Sequence, residues 1–280
     1  MTRLKTCDIS EISSCLAEYD RQLQSVTGRS LLGIAAHAWD VYEAELNHQI
    51  KTFSIHVIPV TAGQGIITDF SETVCAVLKF LGFEARITDQ PDTCGLASAF
   101  EKKADAVMMA DDYRFVGINL HTREVVDNSE ATSRVFVAAL DLMAGGIKNH
   151  PVLVMGCGPV GEAGAKSLLR LGATVALHDI DLKAAILLKE KLAHDLKDSR
   201  IQVIEDLGSQ FSGCPYILEA TPSENTIPYE LISDHMLVAA PGVPLGISKN
   251  GCNMLENRLV HDKLELGVAA MAIKLVLNHN

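Results

Sequence analysis

The chain has 280 residues, 48% hydrophobic and 21% charged, which excludes wholesale disorder and fits one large domain or two small ones. Its formal charge of −11 makes nucleic acid and anionic lipid poor partners; with no run near the roughly 20 apolar residues of a membrane span and no apolar core behind Met1–Asp8, it is expected to be cytoplasmic and to have no membrane partner. The seven cysteines (Cys7, Cys15, Cys75, Cys94, Cys157, Cys214 and Cys252) are odd in number, scattered and without a C-x-x-C pair, so free thiols and no metal site are expected.

Residues 9–50 read as helical. Ile12, Cys15, Leu16, Tyr19 and Leu23 recur at three- and four-residue steps, and Val26-Thr27-Gly28 breaks the pattern before a second helix over 31–47 with Trp39 as a core anchor. Residues 53–60 are then a strand, Thr61-Ala-Gly-Gln-Gly65 a loop, and 72–81 a helix capped by Asp69 or Ser71. A strand over 84–88, a helix over 93–103 and a strand over 104–110 continue the rhythm of βαβ units and a parallel sheet. Asp111-Asp112 leads into a short strand over 114–120, polar turn material over 122–128, and a helix over 132–143 closed by Gly145-Gly146. Lys148-Asn149-His150-Pro151 marks the candidate boundary. Beyond it, strands over 152–155, 174–178, 201–204, 216–218 and 237–239 alternate with helices over 159–171 and 182–196, and a nearly all-apolar helix over 267–277 closes the chain.

The strongest motif follows the strand at 152–155: Gly156-Cys-Gly158-Pro159-Val160-Gly161 is G-x-G-x-x-G between a strand and a helix. Gly156 permits the tight turn, Gly158 lets backbone approach a pyrophosphate, and Gly161 lets helix and strand pack closely, while the helix N-terminus favours the phosphate charge. The next strand ends at Asp179, at the spacing of the ribose-binding acid, which favours NAD over NADP; the competing role is a helix N-cap, open also to Asp181. Glu219-Ala220-Thr221-Pro222 and Ala240-Pro241-Gly-Val-Pro244 follow two later strands and are expected to line the nicotinamide half of the site.

In the first half, the loops at 60–65, 88–92 and 111–112 follow strands and are placed to face the cofactor. An adjacent acid pair such as Asp111-Asp112 is equally readable as a solvated turn. No Tyr-x-x-x-Lys, Ser-His-Asp or H-E-x-x-H arrangement occurs, and His121 and His178 read as unpaired structural or surface residues. Hydroxyl oxidation usually needs such a base, whereas carboxylates suffice to hold an ammonium and take its proton. An acid-rich, His-poor site therefore fits an amine substrate.

More than the fold is matched. The strings Ile58-Pro-Val-Thr-Ala-Gly-Gln-Gly-Ile-Ile67 with Phe70-Ser-Glu72, Ile87-Thr-Asp-Gln-Pro-Asp92, Met109-Ala-Asp-Asp112, Glu219-Ala-Thr-Pro222, Thr226-Ile-Pro228 and Pro241-Gly-Val-Pro244 with Ile247-Ser248 resemble the pyrrolysine synthase (PylD) family from about Thr27 onward. That resemblance implies NAD-dependent oxidation of the terminal amine of L-lysine-Nε-3-methyl-D-ornithine, a dipeptide-like small molecule, followed by ammonia loss and closure of the pyrroline ring. It implies Asp111 and Asp262 as catalytic carboxylates, Glu265 being the alternative to Asp262, and Thr61, Ser71 and Asp112 as substrate-binding residues. Gly156, Gly158, Pro159, Val160, Gly161, Asp179, Ala220, Thr221, Pro222 and Pro241 would bind NAD. The chain departs from the family at Ala62 (often Ser), at Cys157 in the fingerprint, and at Asp262, where Glu is usual.

The expected architecture is α/β: a C-terminal Rossmann dinucleotide-binding domain (149–266) plus an N-terminal α/β domain with leading helices (1–148), the active-site cleft between them, and a C-terminal helix (267–280) packing back on the N-terminal domain. A homodimer is expected, the helices at 131–143 or 267–277 being candidates for its interface. The alternatives are a Rossmann dehydrogenase acting on another amino or hydroxy acid, and a non-catalytic NAD-binding sensor.

Overall fold

A computed structural model describes residues 4, 6–210 and 214–277. In chain order the elements are α1 (Thr6–Ile9), α2 (Ile12–Thr27), α3 (Leu31–Ala38), α4 (Glu43–Thr52), β1 (Ser54–Ile58), α5 (Phe70–Phe80), β2 (Glu84–Ile87), α6 (Asp92–Glu101), β3 (Ala106–Ala110), β4 (Phe115–Asn119), β5 (Val125–Asp127) and α7 (Asn128–Ala144). There follow β6 (Pro151–Met155), α8 (Pro159–Arg170), β7 (Thr174–His178), α9 (Leu182–Leu196), β8 (Ile201–Val203), α10 (Leu207–Gln210), β9 (Tyr216–Glu219), β10 (Leu237–Ala240), α11 (Lys249–Leu255), β11 (Leu259–His261) and α12 (Glu265–Leu277).

The chain divides into two compact units. The first comprises residues up to Gln24, Arg29–Val135 and the residues from Lys263 on; the second comprises Ser25–Gly28 and Phe136–Asp262. The division falls inside α7, not at the Gly145–Pro151 segment that composition marked. That segment is a folded turn: Gly145 and Gly146 supply φ values of +67° and +114°, the Ile147 side chain is buried and its N–H donates to Asp141 Oδ1 at 2.9 Å. The His150 ring meets Tyr216 edge to face at 5.5 Å. At the far end the division falls between Asp262 and Lys263, just before α12 rather than inside it.

The first unit is built on a five-stranded sheet of order β2-β1-β3-β4-β5. Only β2, β1 and β3 are parallel; β3–β4 and β4–β5 are antiparallel. The parallel βαβ rhythm read over 53–110 holds, and the next strand turns antiparallel because Asp111–Arg114 is a short hairpin connection and a parallel crossover needs a dozen or more residues. Strand β5 lies within the stretch read as turn. On one sheet face Ile58 and Val107 pack with Ala99 and Ala104, and Leu96, Met109 and Ile118 lean on that cluster. On the other face Phe115 meets Phe70 of α5, Gly117 lies under Leu275 of α12, and Asn119 Nδ2 donates to the Leu275 carbonyl at 3.0 Å. Helix α12 packs on α3, α5, β4 and β5, and the side chains Glu265–Ile273, Leu275 and Val276 are buried. Its apolar residues are thus buried against these elements and the rest of the chain.

The second helical stretch is two helices, α3 and α4, separated where Asp40 turns to a φ of +57°. Trp39 closes α3 half-buried rather than as an interior anchor. Its indole N–H donates to the Ala270 carbonyl at 2.8 Å, with the Arg134 guanidinium 4.3 Å and the Lys274 ammonium 5.2 Å from the ring centroid. Helix α2 buries Ile12, Leu16 and Leu23, while Cys15 is exposed.

The second unit holds a six-stranded, all-parallel sheet of order β11-β10-β9-β6-β7-β8. The chain runs outward from β6 through β7 to β8, then returns to place β9 on the other side of β6. The reversal lies between β6 and β9, where ligands bind in open α/β sheets. The sequence reading missed β11 and α11. Met155, Ile217, Ile227, Met236, Val238 and Leu255 belong to one continuous buried core beneath this end of the sheet.

Candidate active site

At the switch point, Met155 of β6 pairs with Glu219 of β9. Gly156 then turns with a φ of +88°, its N–H donating to the His178 carbonyl at 2.9 Å. A Cβ on Gly156 would lie 3.0 Å from the Ala220 carbonyl carbon, so the glycine loop and the Ala220-Thr221-Pro222 loop are pressed together. A Cβ on Gly161 would fall on the Gly156 carbonyl oxygen and 2.9 Å from its carbonyl carbon. Gly158 differs: nothing lies within 4 Å of its Cβ position. It is the N-cap of α8, with no side-chain cap, and Pro159, Val160 and Gly161 open the helix. An uncapped helix start beside open space is a cradle that a Cβ would fill and a pyrophosphate fits.

Asp179 follows β7 and braces this loop. Its Oδ2 accepts the Cys157 N–H at 2.7 Å and its Oδ1 the Asp181 N–H at 2.9 Å. Asp181, not Asp179, is the N-cap of α9. The Cys157 thiol is pushed up to about 12 by burial and by the Asp179 charge, which leaves it protonated and unreactive. His178 Nδ1 pairs with the Ile204 carbonyl at 2.9 Å, and Pro241 directly follows β10.

The first unit brings a second set together. The Thr61 N–H and hydroxyl both donate to the Asp92 carboxylate, which these bonds hold below the usual carboxylate range. Asp112 Oδ2 accepts the Gln64 N–H at 2.7 Å. Its carboxyl carbon lies 2.7 Å from where a Gly63 Cβ would sit, at a φ of +69°, so only glycine fits. The loop after β1 is therefore fixed at both ends by carboxylates. Asp111 is exposed at the β3–β4 turn. Its Oδ1 accepts the Tyr113 and Arg114 N–H groups at 2.8 and 2.7 Å, and those two bonds, Arg114 first, hold its carboxyl below the usual range. The turn and the functional reading of the acid pair are thus compatible. The Ser71 side chain is buried in the first turn of α5, and Asp69 takes the N-cap position.

Of the two late acids, Asp262 ends the second unit and Glu265 starts α12 in the first; both are nearly buried. Glu265 Oε2 accepts the Leu264 N–H at 3.1 Å, and burial pushes its carboxyl above the usual range. His121 is paired rather than lone, its Nε2 lying 2.8 Å from Asp105 Oδ1. Sequence reasoning gave no individual role to Asp92 or Glu219, though both stand in quoted strings; Asp92 opens α6 and Glu219 ends β9.

The parallel sheet, the glycine turn at its switch point and the acid ending the next strand define the Rossmann-type dinucleotide-binding fold of the dehydrogenases. Solved structures agree on that fold. Quinate dehydrogenase from Corynebacterium glutamicum in complex with NAD superposes with a TM-score of 0.56 at 14% identity, covering 80% of this chain and 93% of that one. Shikimate dehydrogenase from Aquifex aeolicus gives 0.51 at 18% identity, over 80% and 91%. The family is narrower. Residues 8–126 match the model of the pyrrolysine biosynthesis protein PylD, N-terminal domain. Pyrrolysine synthases of Methanosarcina barkeri and Methanosarcina acetivorans are 30% and 31% identical over 273 residues, 97% of this chain and 97% and 98% of theirs. The chain belongs to the pyrrolysine synthase family. Among the described residues no helix is long and apolar enough to cross a membrane.

Proposed function

We propose that the protein oxidises the terminal amine of L-lysine-Nε-3-methyl-D-ornithine with NAD, and that the product loses ammonia and closes to the pyrroline ring of pyrrolysine. The observation that carries this reading is Asp111: an exposed carboxylate kept ionised by two backbone N–H groups, beside a loop that Asp92 and Asp112 hold in shape. A permanently charged acid is suited to gripping an ammonium and is a weak base. Glu265 has the opposite bias, and burial makes it the better proton acceptor of the two. We therefore assign holding of the ammonium to Asp111 and proton removal to Glu265, with Asp262 as the rival base. Thr61 and Asp112 shape the loop that receives the substrate.

The nicotinamide dinucleotide, when bound, accepts hydride from the amine-bearing carbon. Gly158 and the start of α8 would hold its pyrophosphate, and Asp179 its adenosine ribose, where a carboxylate repels a 2′-phosphate and so favours NAD. The resulting imine adds water and releases ammonia to give an aldehyde; the ornithine α-amine attacks that carbonyl, and water leaves as the ring C=N forms. That closure is intramolecular and five-membered, so its high effective concentration leaves little for the protein to do.

The test is NADH formation at 340 nm with NAD and synthetic L-lysine-Nε-D-ornithine, with mass spectrometry of the product. NADH together with a pyrroline-bearing product is expected. NAD binding without reduction would sink the substrate assignment and send the search to other amines and hydroxy acids. Failure on all of them would favour the sensor reading.

A further inference from the structure

Glu219 is the least expected side chain in the second unit. It ends β9 at the switch point and is fully buried. One oxygen is crowded: Oε1 accepts the Thr221 N–H at 3.0 Å, the Thr221 hydroxyl, and the Thr226 hydroxyl at 3.1 Å. The other, Oε2, has no hydrogen-bond partner among the described residues. The surrounding backbone is shaped around this carboxyl. A Cβ on Gly242 would come within 2.8 Å of Oε2, and one on Gly246 within 2.6 Å of the carboxyl carbon. Gly242 also donates its N–H to the Glu219 carbonyl at 3.2 Å, and Ile227 donates to the Gly246 carbonyl at 2.9 Å. Two loops, 220–227 after β9 and 241–247 after β10, thus close on one side chain.

We propose that Glu219 is a positioning residue that ties these two loops into the surface receiving the nicotinamide end of the dinucleotide, without touching the ligand itself. The inference rests on the dinucleotide reading above. Buried carboxyls without a counter-charge are held neutral, and burial raises this one. Its hydrogen-bond donors are the Thr221 backbone and the Thr221 and Thr226 hydroxyls, with no Lys or Arg among them in the described residues. A side chain at 242 would strike the Thr221 carbonyl and the Glu219 carboxyl, and one at 246 the Thr226 hydroxyl and the same carboxyl. The glycine loop meets the loop after β9 only at Gly156, against Ala220 and Thr221, while Asp179 and the start of α8, which would hold the adenosine and pyrophosphate, share no hydrogen bond with the Glu219 side chain among the described residues. The two halves of the ligand should therefore respond differently.

Calorimetric titration of the full chain with NAD and with ADP-ribose, which lacks nicotinamide, tests this. In Glu219→Ala, NAD affinity should fall by about tenfold or more while ADP-ribose affinity stays within about twofold. Glu219→Gln, which keeps the accepting oxygen and carries no charge, should recover most of the NAD affinity. Thr226→Val should show a smaller loss of the same selective kind. Equal losses for both ligands, unchanged NAD affinity in Glu219→Ala, or a Gln variant as poor as Ala would overturn the proposal. Should Glu219→Ala fail to fold, an unchanged NAD to ADP-ribose ratio in Thr226→Val overturns it instead. A wild-type chain that binds neither ligand refutes the dinucleotide reading itself, a result distinct from all of these.

Discussion

Two glycines of the same fingerprint should fail for different reasons. At Gly161 an added methyl falls on the Gly156 carbonyl oxygen and 2.9 Å from its carbon, where carbon contacts normally begin at about 3.5 Å. Both partners are backbone, so neither can rotate away; α8 must shift from the end of β6. Overpacking of this kind costs about 1–3 kcal/mol, or a fall in melting temperature of roughly 2–12 °C for a domain of this size. At Gly158 the same methyl meets nothing within 4 Å, and φ is −74°. Losing glycine at the N-cap costs about 0.5–1 kcal/mol, and a less flexible unfolded chain returns about 0.4–1 kcal/mol. The Gly158→Ala variant should therefore melt close to wild type. Its methyl instead occupies the space assigned to pyrophosphate, and the same 1–3 kcal/mol becomes a loss of about 5- to 150-fold in NAD affinity. Differential scanning fluorimetry and NAD titration on both variants separate the effects. A Gly158→Ala protein that binds NAD like wild type would refute the placement of the pyrophosphate.

Asp111→Asn should raise KM for the amine more than it lowers kcat, since it removes a charge that grips rather than a base; steady-state kinetics decides, and an unchanged KM counts against the role. Glu265→Gln should lower kcat by about 10²–10⁴-fold and abolish the rise of kcat with pH, whereas Asp262→Asn with that same signature would exchange their roles. Because burial raises Glu265, its favourable share of stability is complete below the ordinary glutamate value of 4.5 and is lost as pH rises through the folded value; chemical denaturation should find Glu265→Gln more stable than wild type at neutral pH. His56 works the other way. It is buried, neither ring nitrogen has a hydrogen-bond partner among the described residues, and burial, then Arg86 and Lys102, lower its basicity. Its unfolded form takes up protons first, so stability holds above 6.5 and falls as pH drops below it; the unfolding free energy of His56→Leu should vary less between pH 7.5 and 5. Asp179→Asn should narrow the preference for NAD over NADP in paired titrations, and an unchanged ratio would remove Asp179 from ribose selection.

The second unit was the more legible because its signals are local. The glycine fingerprint, the strand before it and the acid after β7 lie within one βαβ span, and each step has a short-range cause. What escaped had no such cause. Strands β5 and β11 are three residues long, too short for alternation to register, and exist because a neighbouring strand pairs with them. The break between α3 and α4 depends on a single left-handed residue, Asp40. The βαβ rhythm read over 53–110 matches the parallel part of the first sheet, and the antiparallel turn that follows was readable too, since Asp111–Arg114 is too short for a crossover.

The site residues divide along the same line. Asp92 earns its place by reaching back to Thr61, and Glu219 by meeting loops on two sides; neither relation leaves a trace in spacing. In sequence, Asp111 and Glu265 are simply two acids. In the structure one is exposed and braced by backbone amides, and the other is buried at the start of a helix, so their affinities for a proton are driven in opposite directions. Two titratable groups pushed apart by their surroundings are what amine oxidation requires. On the proposed reading one stays charged to hold the substrate while the other takes its proton. Composition announced an acid-rich chain, but exposure and burial are what set these two acids apart.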